Sequence, residues 1–177
     1  KPLYDYDVEL KRSYVPFPKV EALPKKDTIE EIVGINENWE QYEEGSMDEA
    51  YEELNWRPKG WQDSKDKSYE HYMKSKFENR VKAKVDKRTK RLDSFIWFAE
   101  IEGEAKLSED ECLQIAAQFI QTYDPEYIPY LQVEVKVEED IEENRAFFRF
   151  VVQKDGLFVE NEFFHMNISK KTGEILM

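Results

Sequence analysis

The sequence predicts an α+β fold of two tandem units, each packing one helix on a sheet of three or four antiparallel strands. Three observations carry this reading. A boxed helix start, Leu107-Ser108-Glu109-Asp110-Glu111-Cys112, precedes an apolar stripe, and strict alternation over Leu131 to Glu138 follows it. One turn is also written twice, as KVDKRTKRLDS and as NISKKTGEILM. Val85, Thr89 and Leu92 in the first copy stand 83 residues before Ile168, Thr172 and Ile175 in the second.

Residues 1–26 carry four of the seven prolines (Pro2, Pro16, Pro18 and Pro24) and alternate acids with aromatics in YDYDVEL. That composition predicts an extended, surface-hugging arm. Asp5, Asp7 and Glu9 have the spacing of half an oxygen-ligand calcium loop, but the glycine turn and distal Glu are missing, which leaves a solvated arm as the simpler reading.

The first unit, residues 27–103, opens with a cap at Asp27-Thr28-Ile29-Glu30 and the run IEEIVGI. Its expected strands are Trp39 to Glu43, Ala50 to Trp56, Phe77 to Val85 and, after the turn DKRTKR, Leu92 to Glu100. Within that last strand FIWFA is apolar at successive positions, so burial on both faces is expected.

The second unit, residues 104–177, begins with the boxed helix, whose Cys112, Ile115, Ala116, Phe119 and Tyr123 recur at spacings of three and four and should lie on a sheet. The helix should stop before Asp124-Pro125. Leu131 to Glu138 reads as a half-buried strand and Arg145 to Val152 as its neighbour. Asp155-Gly156 supplies the hairpin, Leu157 to Ser169 the third strand, and KKTG turns into a fourth beginning at Glu174 and shortened at Met177. The helix start repeats at an offset of 80 (Thr28 to Ser108) and the turn at 83, two landmarks in one order, which points to internal duplication.

Hydrophobic residues make up 40% of the 177 and aromatics 14%, enough to build a core. The formal charge of -13 opposes general affinity for nucleic acid or anionic membrane. No run reaches the roughly 18 apolar residues of a membrane helix. Lys1 at the start leads us to expect a processed or excised piece of a longer protein. One cysteine, Cys112, allows no internal disulfide and no cysteine-rich metal site.

The order of capped helix, strand, strand, DGLFV, strand and NISKKTGEI resembles the PepSY-type unit. In tandem it is similar to the YcdB/YcdC repeat of bacterial envelope proteins. The residues that carry the resemblance are Phe148, Phe150, Asp155-Gly156, Val159, Ile168 and Lys171 to Ile175, with Leu107 to Asp110 at the helix start. Val85-Asp86, Thr89, Leu92 and Asn55-Trp56 match in the first unit. Lys90 departs from the family's turn glycine, a substitution that costs of order 1 kcal/mol at positive φ, and Glu160 to Glu162 replace the glycine common after the DG hairpin. The resemblance implies a PepSY/cystatin-like fold and a secreted or cell-envelope location. It implies a non-enzymatic role without cofactor, in a family whose related units serve as peptidase propeptides, peptidase inhibitors or accessory binding modules.

The sharpest local signal is charge segregation. Lys74, Lys76, Arg80, Lys82, Lys84, Lys87, Arg88, Lys90 and Arg91 face only Glu78 and Asp86, a local +7 that leaves -20 for the remainder. Arg80, Lys82 and Lys84 share one strand face. The patch either docks an anionic partner, such as a wall polymer or an acidic protein surface, or neutralises acids within the molecule. Trp39, Trp56 and Trp61 around NWRPKGW suggest a carbohydrate platform, with Tyr72 as a further rim residue, against the plainer reading of Trp56 as core. A Cys112/His165 pair would need the thiol held on a turn, whereas Cys112 falls in the helix stripe. The acids Glu138 to Glu143 read as a charged hairpin loop before a cation site, and the other histidine, His71, matches no motif. The leading expectation is a module that binds a protein, a peptidase among the candidates, through its sheet surface or edge; the alternative is wall-polymer binding by the basic strand.

Overall fold

A computed structural model describes residues 13–43, 48–59, 80–98 and 104–177, apart from the side chains of residues 140 and 160–163. In chain order the elements are β1 (Tyr14–Pro16), α1 (Ile29–Val33), β2 (Trp39–Tyr42), β3 (Tyr51–Pro58), β4 (Arg80–Asp86), β5 (Leu92–Phe98), α2 (Glu109–Tyr123), β6 (Leu131–Glu134), β7 (Arg145–Lys154) and β8 (Leu157–Ser169). They make two antiparallel four-stranded sheets, one ordered β1-β6-β7-β8 and the other β2-β3-β4-β5. The fold is α+β. Two compact units result, one holding the arm to Lys25 with residues through Ile175, the other residues from Lys26 with Leu176 and Met177.

In the helical unit the box forms as its letters require: the Glu111 amide donates to Ser108 Oγ at 3.1 Å and the Ser108 amide to Glu111 Oε1 at 3.2 Å. Glu109, Asp110 and Glu111 sit in the first turn, where the helix dipole favours acids. Cys112, Ala116 and Ile120 bury against Ala146, Phe148, Phe150 and Val152 of β7 and Met166 and Ile168 of β8. Ile115 and Phe119, expected in the same stripe, are only partly buried. The helical period is right and its phase is turned slightly toward Ile120. The extended arm supplies β1, an edge strand on which Pro16 is tolerated, paired with β6 through Val15 and Val133. Further along the arm the Leu23 amide donates to Thr122 Oγ1 at 2.9 Å.

Two elements of this unit are shorter than the alternation suggests. β6 stops at Glu134, and Val135 and Val137 are exposed beyond it. Alternation marks which side chains share a face, while a ladder also needs a neighbour, and β7 pairs only as far as Val133. The strand after KKTG is reduced to a single bridge, Ile168 to Ile175.

The other unit has no comparable helix. Thr28 caps α1, its Oγ1 accepting from the Glu31 amide at 3.2 Å, but Gly34 ends the helix in the left-handed region at φ +84° after five residues. Only Val33 of α1 is buried. The expectation of a helix laid along each sheet therefore holds in full for one sheet alone. The core here is Trp56 with Val81, Ala83, Val85 and Phe95, and the Trp97 indole donates to the Val33 carbonyl at 2.7 Å. β5 is an edge strand whose Ile96 is 36% exposed, so FIWFA is not buried on both faces.

The turn written twice is built twice. The Asp86 amide donates to the Arg91 carbonyl at 2.9 Å and the Lys90 amide to the Asp86 carbonyl at 2.8 Å; Ser169, Glu174 and Gly173 repeat both bonds at 2.9 and 2.8 Å. Asp86 Oδ1 accepts from the Arg88 and Thr89 amides, as Ser169 Oγ does from Lys171 and Thr172. Lys90 takes φ +60° where Gly173 takes +79°. The pairs flanking the turns, Val85 with Leu92 and Ile168 with Ile175, also correspond.

Candidate functional site

The basic patch divides into a covered strand and an exposed turn. Val81, Ala83 and Val85 point to the core, which puts Arg80, Lys82 and Lys84 on the other face of β4. Arg80 is buried, its guanidinium 5.5 Å from the centre of the Tyr42 ring and 5.9 Å from that of Phe98. Lys82 Nζ pairs with Glu53 Oε1 at 3.1 Å, and on the same face Arg57 Nε pairs with Glu40 Oε1 at 2.8 Å while lying 4.5 Å over Tyr42. Strand cations are thus tied to acids and aromatic rings of their own sheet. Lys87, Arg88, Lys90 and Arg91, by contrast, all lie on the exposed turn. Lys74 and Lys76 lie outside the described residues, as do Trp61, Tyr72, His71 and the acids of YDYDVEL.

At the centre of this face sits a residue that patterning did not single out. Asn55 is 1% exposed, its Nδ2 is 3.5 Å from Glu53 Oε1, and its Oδ1 has no hydrogen-bond partner among the described residues. The only signal in the sequence was its place beside Trp56 on a strand. Trp56 itself is core, and Trp39 packs edge-on against Trp97 with centroids 5.1 Å apart, so the described tryptophans form no open platform.

The helical unit holds a second charged cluster. Glu109 at the start of α2 accepts from Lys136 Nζ at 3.1 Å and faces Lys170 Nζ at 2.8 Å, while Lys170 is buried and also donates to the Glu142 carbonyl. Burial pushes the Glu109 pKa up, but the hydrogen bonds and charges of Lys170 and Lys136 outweigh it and hold the carboxyl below its ordinary value. Lys136 lies 4.3 Å over the Phe148 ring, so the same cation joins the cluster to the core. With Lys170 on the Glu142 carbonyl, the acidic loop is drawn to the sheet, and no group of three His, Cys, Asp or Glu able to hold a metal ion occurs among the described residues.

Cys112 and His165 do not meet. Cys112 is buried under α2, where burial first and the Glu109 charge second raise its pKa. His165 pairs with Arg149 on the opposite face of the sheet and packs edge-on against Phe147 at 5.2 Å. Partial desolvation and then the Arg149 charge lower its pKa. The sheet lies between thiol and imidazole.

The remaining open feature is backbone. β8 is a 13-residue strand at the end of its sheet, and beyond it, among the described residues, only the Ile175 bridge is paired. The tip of its hairpin exposes Leu157 at 73%, with Phe158 beside it.

The family described as "YcdB, YcdC repeated domain" matches residues 24–177. The uncharacterized protein YcdC of Bacillus subtilis (strain 168) is 31% identical over 85 residues, 48% of this chain and 19% of that relative. The matched stretch therefore spans about a fifth of the relative's length. No solved structure matches the chain.

Proposed function

Because the chain belongs to the YcdB, YcdC repeated-domain family, we propose that it is a non-catalytic binding or regulatory module of a secreted or cell-envelope bacterial protein. Its partner is a protein, engaged in the manner of a peptidase propeptide or inhibitor. The two units are variants of one PepSY-like pattern, and the like hydrogen bonding of the two turns supports that descent. The observation that carries the binding role is the outer edge of β8, whose backbone groups offer a template for an added strand.

The test is capture from a bacterial envelope fraction by the immobilised protein at low and high salt. A protein retained at both supports this reading, since backbone pairing and apolar contact resist screening. A second reading, wall-polymer binding, is favoured by the exposed cations of the first turn. It predicts polymer retained at low salt only, and lost when Lys87, Arg88 and Lys90 are changed to Glu. That outcome would sink the protein-partner proposal.

A further inference from the structure

The internal duplication supplies a template for what lies beside β8. In the first sheet β4 is covered by β5, with Val85 opposite Leu92, Lys84 opposite Ser94, Ala83 opposite Phe95, Lys82 opposite Ile96 and Val81 opposite Trp97. Moved 83 residues along, the first pair is the observed bridge Ile168 to Ile175, and the next positions are Asn167, Met166, His165 and Phe164. In this chain the backbone does not go on along them. Leu176 and Met177 group with the first sheet, the Leu176 carbonyl accepting from the Trp97 amide at 2.8 Å.

We infer that β8 accepts an extended strand of a separate polypeptide, antiparallel, entering next to Ile175 in the register that β5 uses on β4. The inference rests on the protein-binding reading above and adds the place, direction and chemistry of the partner. Edge polarity follows from the turn: the Ser169 amide and carbonyl both bond outward, to Glu174 and Gly173, so by alternation the Asn167 backbone groups point outward while those of Met166 point to β7. A side-chain observation marks the same position. Asn167 Oδ1 is shielded from water with no hydrogen-bond donor among the described residues. The corresponding place on β5 carries Ser94, a donor, and is followed by Phe95, Ile96 and Trp97. The partner strand therefore carries a donor side chain opposite Asn167 and then large apolar residues, Phe95-like and Trp97-like, opposite Met166 and Phe164.

The probe is a peptide with the sequence Leu92–Phe98 flanked by lysines for solubility, against a scrambled control, added to the whole protein. Binding is read by anisotropy and by amide hydrogen exchange. The expected result is saturable binding that slows exchange of the outward β8 amides, Asn167 among them, and leaves α2 unchanged. Asn167→Pro should abolish it, and Asn167→Ala, which keeps the backbone, should weaken it about fivefold, the worth of one hydrogen bond. Absence of protection on β8 at saturation, or undiminished binding by Asn167→Ala and Asn167→Pro alike, overturns the proposal. β8 amides protected in a dimer without peptide would assign the edge to a second copy and overturn it too. An envelope protein still captured by Asn167→Pro would keep the broader function and remove this edge from it.

Discussion

The two turns share a backbone and differ in everything attached to it. At the first, Lys87 is exposed, Asp86 is the side-chain acceptor and Lys90 occupies the left-handed position. At the second, the corresponding Lys170 is buried beside Glu109, Ser169 is the acceptor and Gly173 occupies that position. The cause is what packs on each. The start of α2 lies against the second turn, where a Cβ on Gly173 would come within 3.3 Å of Leu107 Cδ1 and Ile115 Cδ1. Lys90 has only solvent to satisfy. A duplicated chain thus keeps main-chain bonds and lets each copy's side chains follow local burial.

The largest expected difference lies in the helices. Ile120→Ala should destabilise its unit by about 2–5 kcal/mol, because Ile120 is buried to 1% in the core and leaves a cavity there. Val33→Ala in α1 removes fewer atoms and should cost about 1–2 kcal/mol. Urea titration can follow the units apart, since all four tryptophans belong to the first unit and the long helix to the second. Equal costs would mean that α1 is as well anchored as α2 and would break the contrast.

Next in size is an exchange at the left-handed position. Gly173→Lys meets both a disfavoured φ and the Leu107 and Ile115 methyls, so about 1–3 kcal/mol of destabilisation is expected. Lys90→Gly should be neutral or mildly stabilising, since it relieves φ strain in an open turn but gives flexibility to the unfolded chain. A melt in which Gly173→Lys is harmless would show that the helix start yields readily.

These contrasts mark how far the sequence alone could reach. The caps at Thr28 and Ser108, the stop before Asp124-Pro125, the hairpin at Asp155-Gly156 and the whole of β8 are written in local chemistry, and they form where it puts them. Strand length was less legible. Val135 and Val137 keep the alternating pattern past the point where β7 stops pairing, because pattern encodes a face and not a neighbour. Of the basic patch, its shared strand face was legible, but Glu53 and Glu40, which hold Lys82 and Arg57, come from other strands at long range. Asn55 looked like a strand residue and no more, since its burial depends on tertiary cover.

Acid should expose the buried cation. The Glu109 pKa is depressed on folding, so its stabilisation is present above the ordinary carboxylate value of about 4.5 and is lost as pH falls through the lower folded value. Glu109→Gln leaves Lys170 buried beside a neutral group. At neutral pH the variant should be the less stable, and the gap should close as pH drops below about 4.5. A gap that persists unchanged in acid would mean that packing, and not charge, is what Glu109 contributes.

The smallest effect separates the two acceptors. Asp86 is exposed, and bonds from the Thr89 and Arg88 amides hold its pKa below the ordinary value; Ser169 makes the same pair of bonds without a charge. Folding therefore gains from ionised Asp86 above its unfolded pKa and loses that gain as pH falls through the folded one, whereas the second turn has no such dependence. Asp86→Ser should leave the first turn folded and flatten its acid response, and Ser169→Asp should give the second turn a response it lacks. Because Asp86 is in solvent, both changes should be small beside those of Ile120 and Gly173, and amide exchange at Lys90 and Gly173 across pH is sensitive enough to read them. If Asp86→Ser instead melts the first turn at neutral pH, the carboxylate's charge is holding the backbone there, and the two copies are alike in shape but not in what forms them.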